Sequence, residues 1–146
     1  MKRILLAIAL FPCLMHAQSK YAKDTLEVYN LFTLAEQTMH EDVDSTIRIC
    51  HRALNKSLKI DYENGISEGY GWLGYMYHYQ GDYATAMNYY EKGVEADRAR
   101  GAEYELATQL LNLGSLVSDL GQDQEAIKLY KESLHLYKKV GAMFDA

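Results

Sequence analysis

The sequence predicts an all-α chain in which antiparallel helix-turn-helix pairs stack into a short solenoid. Three observations predict it. One spacing recurs: Leu73-Gly74 with Leu113-Gly114, Gly81 with Gly121, Ala86 with Ala126, Tyr90 with Tyr130, and Gly101-Ala102 with Gly141-Ala142, each pair 40 residues apart. Apolar residues recur three and four apart, as in Leu106, Leu110, Leu113 and Val117, the period of a helix and not of a strand. No proline follows Pro12, so none breaks a later helix.

The first element stands apart from the rest. Lys2 and Arg3 precede an apolar run from Ile4 to Leu14 and then Met15-His16-Ala17, the layout of a signal peptide over residues 1–17 and too short for a permanent membrane span. The expectation is an exported chain, periplasmic or secreted. Pro12 stands where a lipid-attachment signal needs a small residue, which argues against a lipid anchor at Cys13. Removing the segment leaves 13 Lys and Arg against 20 Asp and Glu, a formal charge of -7, and Cys50 as the one thiol, so no intramolecular disulfide forms. No second run of about 18 apolar residues remains to span a membrane.

The mature domain, 18–146, divides into repeats at 24–60, 62–100 and 102–140, each a helix pair: 24–40 and 43–60, 62–80 and 83–100, 102–120 and 124–140. Residues 70–94 show the arrangement most clearly. Gly74 and Ala86 lack the bulk that would keep paired helices apart, and Tyr90 fills the adjacent hollow; Gly114, Ala126 and Tyr130 repeat this in the third unit, and Cys50 takes the tyrosine position in the first. Gly81 and Gly121 suit the left-handed conformation that ends a helix, while Asp42, Asp82 and Asp123 suit the caps of the next. Glu41 stands where a turn glycine would be, so the first turn is built differently. Residues 141–146 read as the opening of an incomplete fourth unit, leaving Ile127, Leu134 and Tyr137 on an uncovered end face open to self-association or another chain.

This pattern resembles the tetratricopeptide repeat, in a long-period bacterial form. The resemblance covers nearly all of the mature chain. It implies a right-handed solenoid and a non-catalytic scaffold that binds a protein or peptide along the inner surface of the first helix of each pair. Carried onto this sequence, that surface is Phe32, Glu36 and Met39, then Tyr75, His78 and Tyr79, then Leu111, Ser115 and Asp119. Tyr77, Tyr83 and Tyr90 fall on packing positions instead. Some members clamp the terminal carboxylate of a chaperone with cations on this surface; here Gly71, Tyr75, Leu111 and Ser115 occupy those lines, and no cation is among them. As an alternative, the chain also resembles the periplasmic sensor part of a membrane histidine kinase or transcription regulator, cut short.

Other chemistries find little support. A net charge of -5 with no basic run argues against nucleic acid. His40-Glu41-Asp42-Val43-Asp44 gathers four potential metal ligands, but the segment reads as a capped turn and lacks the glycine and closing glutamate of a calcium loop. Cys50 and His51 are neighbours on a helix and point about 100° apart, so they do not form a nucleophile pair. Neither a catalytic triad nor a phosphate-cradling loop can be traced, so no enzyme, metal or cofactor is expected.

Overall fold

The computed structural model describes residues 2–144, with side chains placed over 17–141. It contains six helices and no strand among the described residues: α1 (Lys2–Thr38), α2 (Val43–Lys59), α3 (Glu63–Gln80), α4 (Tyr83–Arg100), α5 (Glu103–Asp119) and α6 (Asp123–Phe144). Each helix packs on the next, and α3 additionally touches both α1 and α5. The odd-numbered helices therefore form one layer of the stack and the even-numbered helices the other.

The ends differ from the expected boundaries. The first helix does not begin at Asp24 but runs unbroken from Lys2. The side chains of residues 1–16 of the proposed leader, Cys13 included, lie outside the described residues. At the other end α6 passes through Gly141 to Phe144 without a turn, so residues 141–144 continue the last helix and do not open a new one. Residues 145–146 are outside the described part.

Four turns share one device. The backbone N–H of Tyr62, Asp82, Ala102 and Gln122 each reaches the carbonyl five residues back, on Ser57, Tyr77, Asp97 and Val117, at 2.9–3.0 Å. This closure needs a left-handed residue just before the donor. Gly81, Gly101 and Gly121 supply it at φ of 84°, 70° and 74°, and Asp61 does so without being glycine, at 57°. Aspartate tolerates that conformation better than most residues. The first turn is the exception: the N–H groups of Glu41 and Asp42 both bond to the Thr38 carbonyl at 3.0 Å, with no left-handed residue.

Asp42 caps α2 by accepting from the Ser45 N–H at 2.8 Å, and Asp82 caps α4 through Thr85 at 3.2 Å. Asp123 does not cap. It is the first residue of α6, and the Gln122 carbonyl accepts from Ala126 in the capping position. A carboxylate in that first turn still suits the positive end of the helix dipole.

The small-against-large packing is direct. A Cβ on Gly74 would lie 2.5 Å from the Tyr90 ring, and one on Gly114 would lie 2.7 Å from that of Tyr130. Ala86 and Ala126 are buried in the same cluster, together with Leu113, Leu116 and Val117. Cys50 sits in the corresponding hollow of the first unit with Ala35, Ile47, Leu54, Leu73 and Met76. Tyr83 departs from its packing assignment: at the first residue of α4 its ring lies at the rim of the stack, 39% exposed and edge-on to His78. Burial pushes the Cys50 thiol up to about 12. Because the thiolate is the reactive form, an aromatic disulfide reagent will label Cys50 only as fast as the protein unfolds. In a Cys13→Ser chain, where Cys50 is the one thiol, labelling that outpaces unfolding, followed by absorbance, would contradict this burial.

Candidate functional site

On the odd-helix layer, α3 and α5 separate enough to leave a cavity of about 600 Å³. One wall is α3, where Asn64, Glu68, Gly71 and Tyr75 recur at helical spacing and Trp72 lies alongside; the other is α5, with Tyr104, Glu105, Thr108 and Asn112. Met39 at the end of α1 and Tyr62 complete the edges. Gly71 matters for the shape, since a Cβ there would already come within 3.1 Å of the Gln109 amide nitrogen.

Aromatic rings dominate the rim. Trp72 packs beneath on residues of both N-terminal core clusters, which fixes its orientation, and meets Tyr75 edge-on at 6.5 Å between centroids. Tyr75 in turn stacks on Tyr79 at 6.5 Å and 23°. Across the cavity Tyr104 is held edge-on by Tyr137 at 5.5 Å, and the Tyr137 hydroxyl pairs with that of Thr108 at 2.7 Å. Tyr137 is thus engaged at this face, whereas Ile127 and Leu134 remain exposed on α6.

Beneath the cavity lies a buried polar network. Asp97 is fully buried; its carboxylate accepts from the Ser67 hydroxyl at 2.8 Å and from Arg100 Nε at 3.0 Å. Arg100 also donates to Asn64 and lies 3.9 Å from Glu105. The Gln109 amide donates to the Ser67 carbonyl at 3.0 Å and fits beside Gly93, where a Cβ would be 2.6 Å from its side chain. Two atoms of this network lack a hydrogen-bond partner among the described residues, Arg100 Nη2 and Gln109 Oε1. Arg100 Nη2 nevertheless lies 3.0 Å from Asp97 Oδ1, so its charge is compensated although the hydrogen-bond angle is not met. Burial raises the Asp97 carboxyl against the opposing pull of Ser67 and Arg100. Burial likewise raises Glu68; its bond with Trp72 works against the rise, and the Glu36 carboxylate adds to it.

The residues assigned to the inner surface separate into groups. Met39 and Tyr75 line the cavity, and Tyr79 extends the tyrosine stack beyond it. His78 and Asp119 meet at 2.7 Å and tie the ends of α3 and α5 together. Glu36, Leu111 and Ser115 are exposed. Phe32 does not belong to the surface: it is 3% exposed, inside a cluster with Val28, Leu31 and Ala53, because that face of α1 turns toward α2. Of the potential metal ligands at 40–44, Asp42 is committed to its cap and Asp44 accepts from Gln80 at 3.3 Å. Among the described residues no three His, Cys, Asp or Glu side chains converge.

Sequence reasoning missed Glu68, Trp72, Tyr104, Thr108 and Asn112. The signal existed in the repeat itself, since Asn64, Glu68 and Trp72 stand one 40-residue period before Tyr104, Thr108 and Asn112. These positions line the cavity together with Tyr75.

A family model described as tetratricopeptide repeat matches residues 65–139, just over half of the chain. No curated protein matches the sequence. Among solved structures, the crystal structure of BtubC (BKLC) from P. vanneervenii aligns with a TM-score of 0.65 at 17% identity. The alignment covers 86% of this chain and 58% of that one, so the chain spans less than two thirds of that protein's length. At this identity the likeness concerns the fold alone. Among the described residues no helix is long and apolar enough to cross a membrane.

Proposed function

Since the chain belongs to the tetratricopeptide-repeat family, we propose that it is a non-catalytic scaffold that binds a protein or peptide in the groove between α3 and α5. The observation that carries this reading is the exposure of large rings that the fold does not need. Tyr75 is 38% and Tyr79 58% exposed, and they stack into a ridge along the cavity rim. Exposed aromatic residues beside a concave surface supply most of the energy at protein interfaces. In contrast, the residues that satisfy the repeat's packing, such as Tyr90, are buried and open to no partner. Export of the mature chain is part of the proposal and rests on Lys2, Arg3 and the apolar run that follows them.

Replacing Tyr75 and Tyr79 together by alanine will reduce capture of the partner at least about tenfold, as loss of aromatic anchors does. Helicity by circular dichroism and the melting temperature will stay where they are, because neither ring is in the core. Undiminished capture by a folded double variant would place the binding surface elsewhere.

A further inference from the structure

We propose that the cavity between α3 and α5 receives a guanidinium group, presented as an arginine side chain by the partner. This deepens the scaffold reading and rests on it for the nature of the partner, but the side-chain chemistry follows from the cavity alone.

Three features select the guest. The first is charge. The lining residues include two carboxylates, Glu68 and Glu105, and no Lys, Arg or His. Arg100 lies outside the lining and is already held by Asp97 and Asn64, with Glu105 at 3.9 Å. A peptide carboxylate or phosphate would enter against these charges, whereas a cation would relieve the repulsion between Glu68 and Glu36.

The second feature is the ring lining. Tyr62, Trp72, Tyr75 and Tyr104 border the space. Their faces attract cations, and a planar guanidinium stacks on them as an ammonium does not. Trp72, wedged into the core from below, is a rigid platform for such stacking.

The third feature is the floor. Gln109 lines the cavity, is 4% exposed, and has a carbonyl oxygen that no described group donates to. The cavity therefore offers an unpaired carbonyl oxygen together with the carboxylates of Glu68 and Glu105 to a guest that donates. Arginine carries five N–H donors and no acceptor, the complementary inventory. Lysine would satisfy the charge but offers a compact, strongly hydrated head and no plane.

Trp72 is the sole tryptophan in the chain, so its fluorescence reports on this cavity without a label. The probes are acetylated Gly-Gly-Arg-Gly-Gly amide and the same peptide carrying citrulline, which keeps the shape and loses the charge. The arginine peptide should shift Trp72 emission saturably and bind at least about tenfold tighter than the citrulline peptide. Glu68→Gln combined with Glu105→Gln should weaken it by a similar factor with helicity and melting unchanged; the single variants give the same reading should the pair lose helicity. Equal binding of the two peptides, no saturable change with either, or unaltered binding by the folded variant would overturn the assignment. If the arginine peptide fails while Tyr75 and Tyr79 remain essential for partner capture, the groove stands and the guanidinium falls. If the peptide binds but capture ignores both tyrosines, the cavity chemistry stands and the scaffold reading falls.

Discussion

Replacing Tyr90 by alanine will destabilise the protein by about 3–5 kcal/mol, the usual cost of emptying a large aromatic site. Tyr90 is 1% exposed and fills the hollow above Gly74, with Ala86, Leu113 and Ala126 in the same cluster. The converse change, Gly74→Ala, inserts a Cβ 2.5 Å from a ring that has nowhere to move. Overpacking of this kind costs about 1–3 kcal/mol. Part of that is offset, because alanine favours a helix interior over glycine by about 0.5–1 kcal/mol. The two changes will not add: once the ring is gone the new methyl has room, so the double variant will be more stable than the sum of the singles predicts. Urea denaturation of all four proteins measures the coupling. Strict additivity would mean that Gly74 is not there to admit the ring.

Asp97→Ala will cost about 3 kcal/mol or more, the usual result of removing one partner from a buried charge pair. It strips Arg100 and Ser67 of their acceptor and loosens α3 against α4 within the second unit. Asp97 also leaves a signature in pH. Burial raises its carboxyl above the ordinary value of 3.8, so the folded chain holds that proton more tightly than the unfolded chain does. Its contribution to stability is then full below 3.8 and is lost as the pH rises through the folded pKa. Asp97→Asn removes this titration. Stability of the native protein minus that of Asp97→Asn should therefore fall as the pH is raised from the unfolded value and level off above the folded one. A flat or rising difference, read from denaturation at several pH values, would show that Arg100 outweighs burial.

What could be read in the sequence was what depends on local or repeated geometry. Gly74 with Tyr90 and Gly114 with Tyr130 are the same steric fit written twice, and Asp42 and Asp82 cap because each stands three residues before the N–H it serves. Asp123 looked identical to them but lies one residue inside α6, since a cap depends on where the helix starts. Asp61 passed unnoticed because a left-handed turn without glycine carries no mark in composition. Phe32 was misplaced because the first unit is the most diverged and its offset from the second is shorter, which leaves the rotation of α1 undetermined. The polar network was beyond reach for another reason. Ser67 meets Asp97 across 30 residues and Gln109 meets Ser67 across 42, and each alone reads as a surface residue on an amphipathic helix.

Among the described residues α2 and α4 do not touch, nor do α4 and α6, and no helix reaches beyond the second one along the chain. Every structural contact can then form by closing a loop of one helix pair or less, which is the condition for rapid folding. Nothing at one end must wait for the other, so α1 and α2 can pair while α5 and α6 are still extended. Among the described residues α3 packs against α1, α2, α4 and α5, which places it and its cavity where opening comes last.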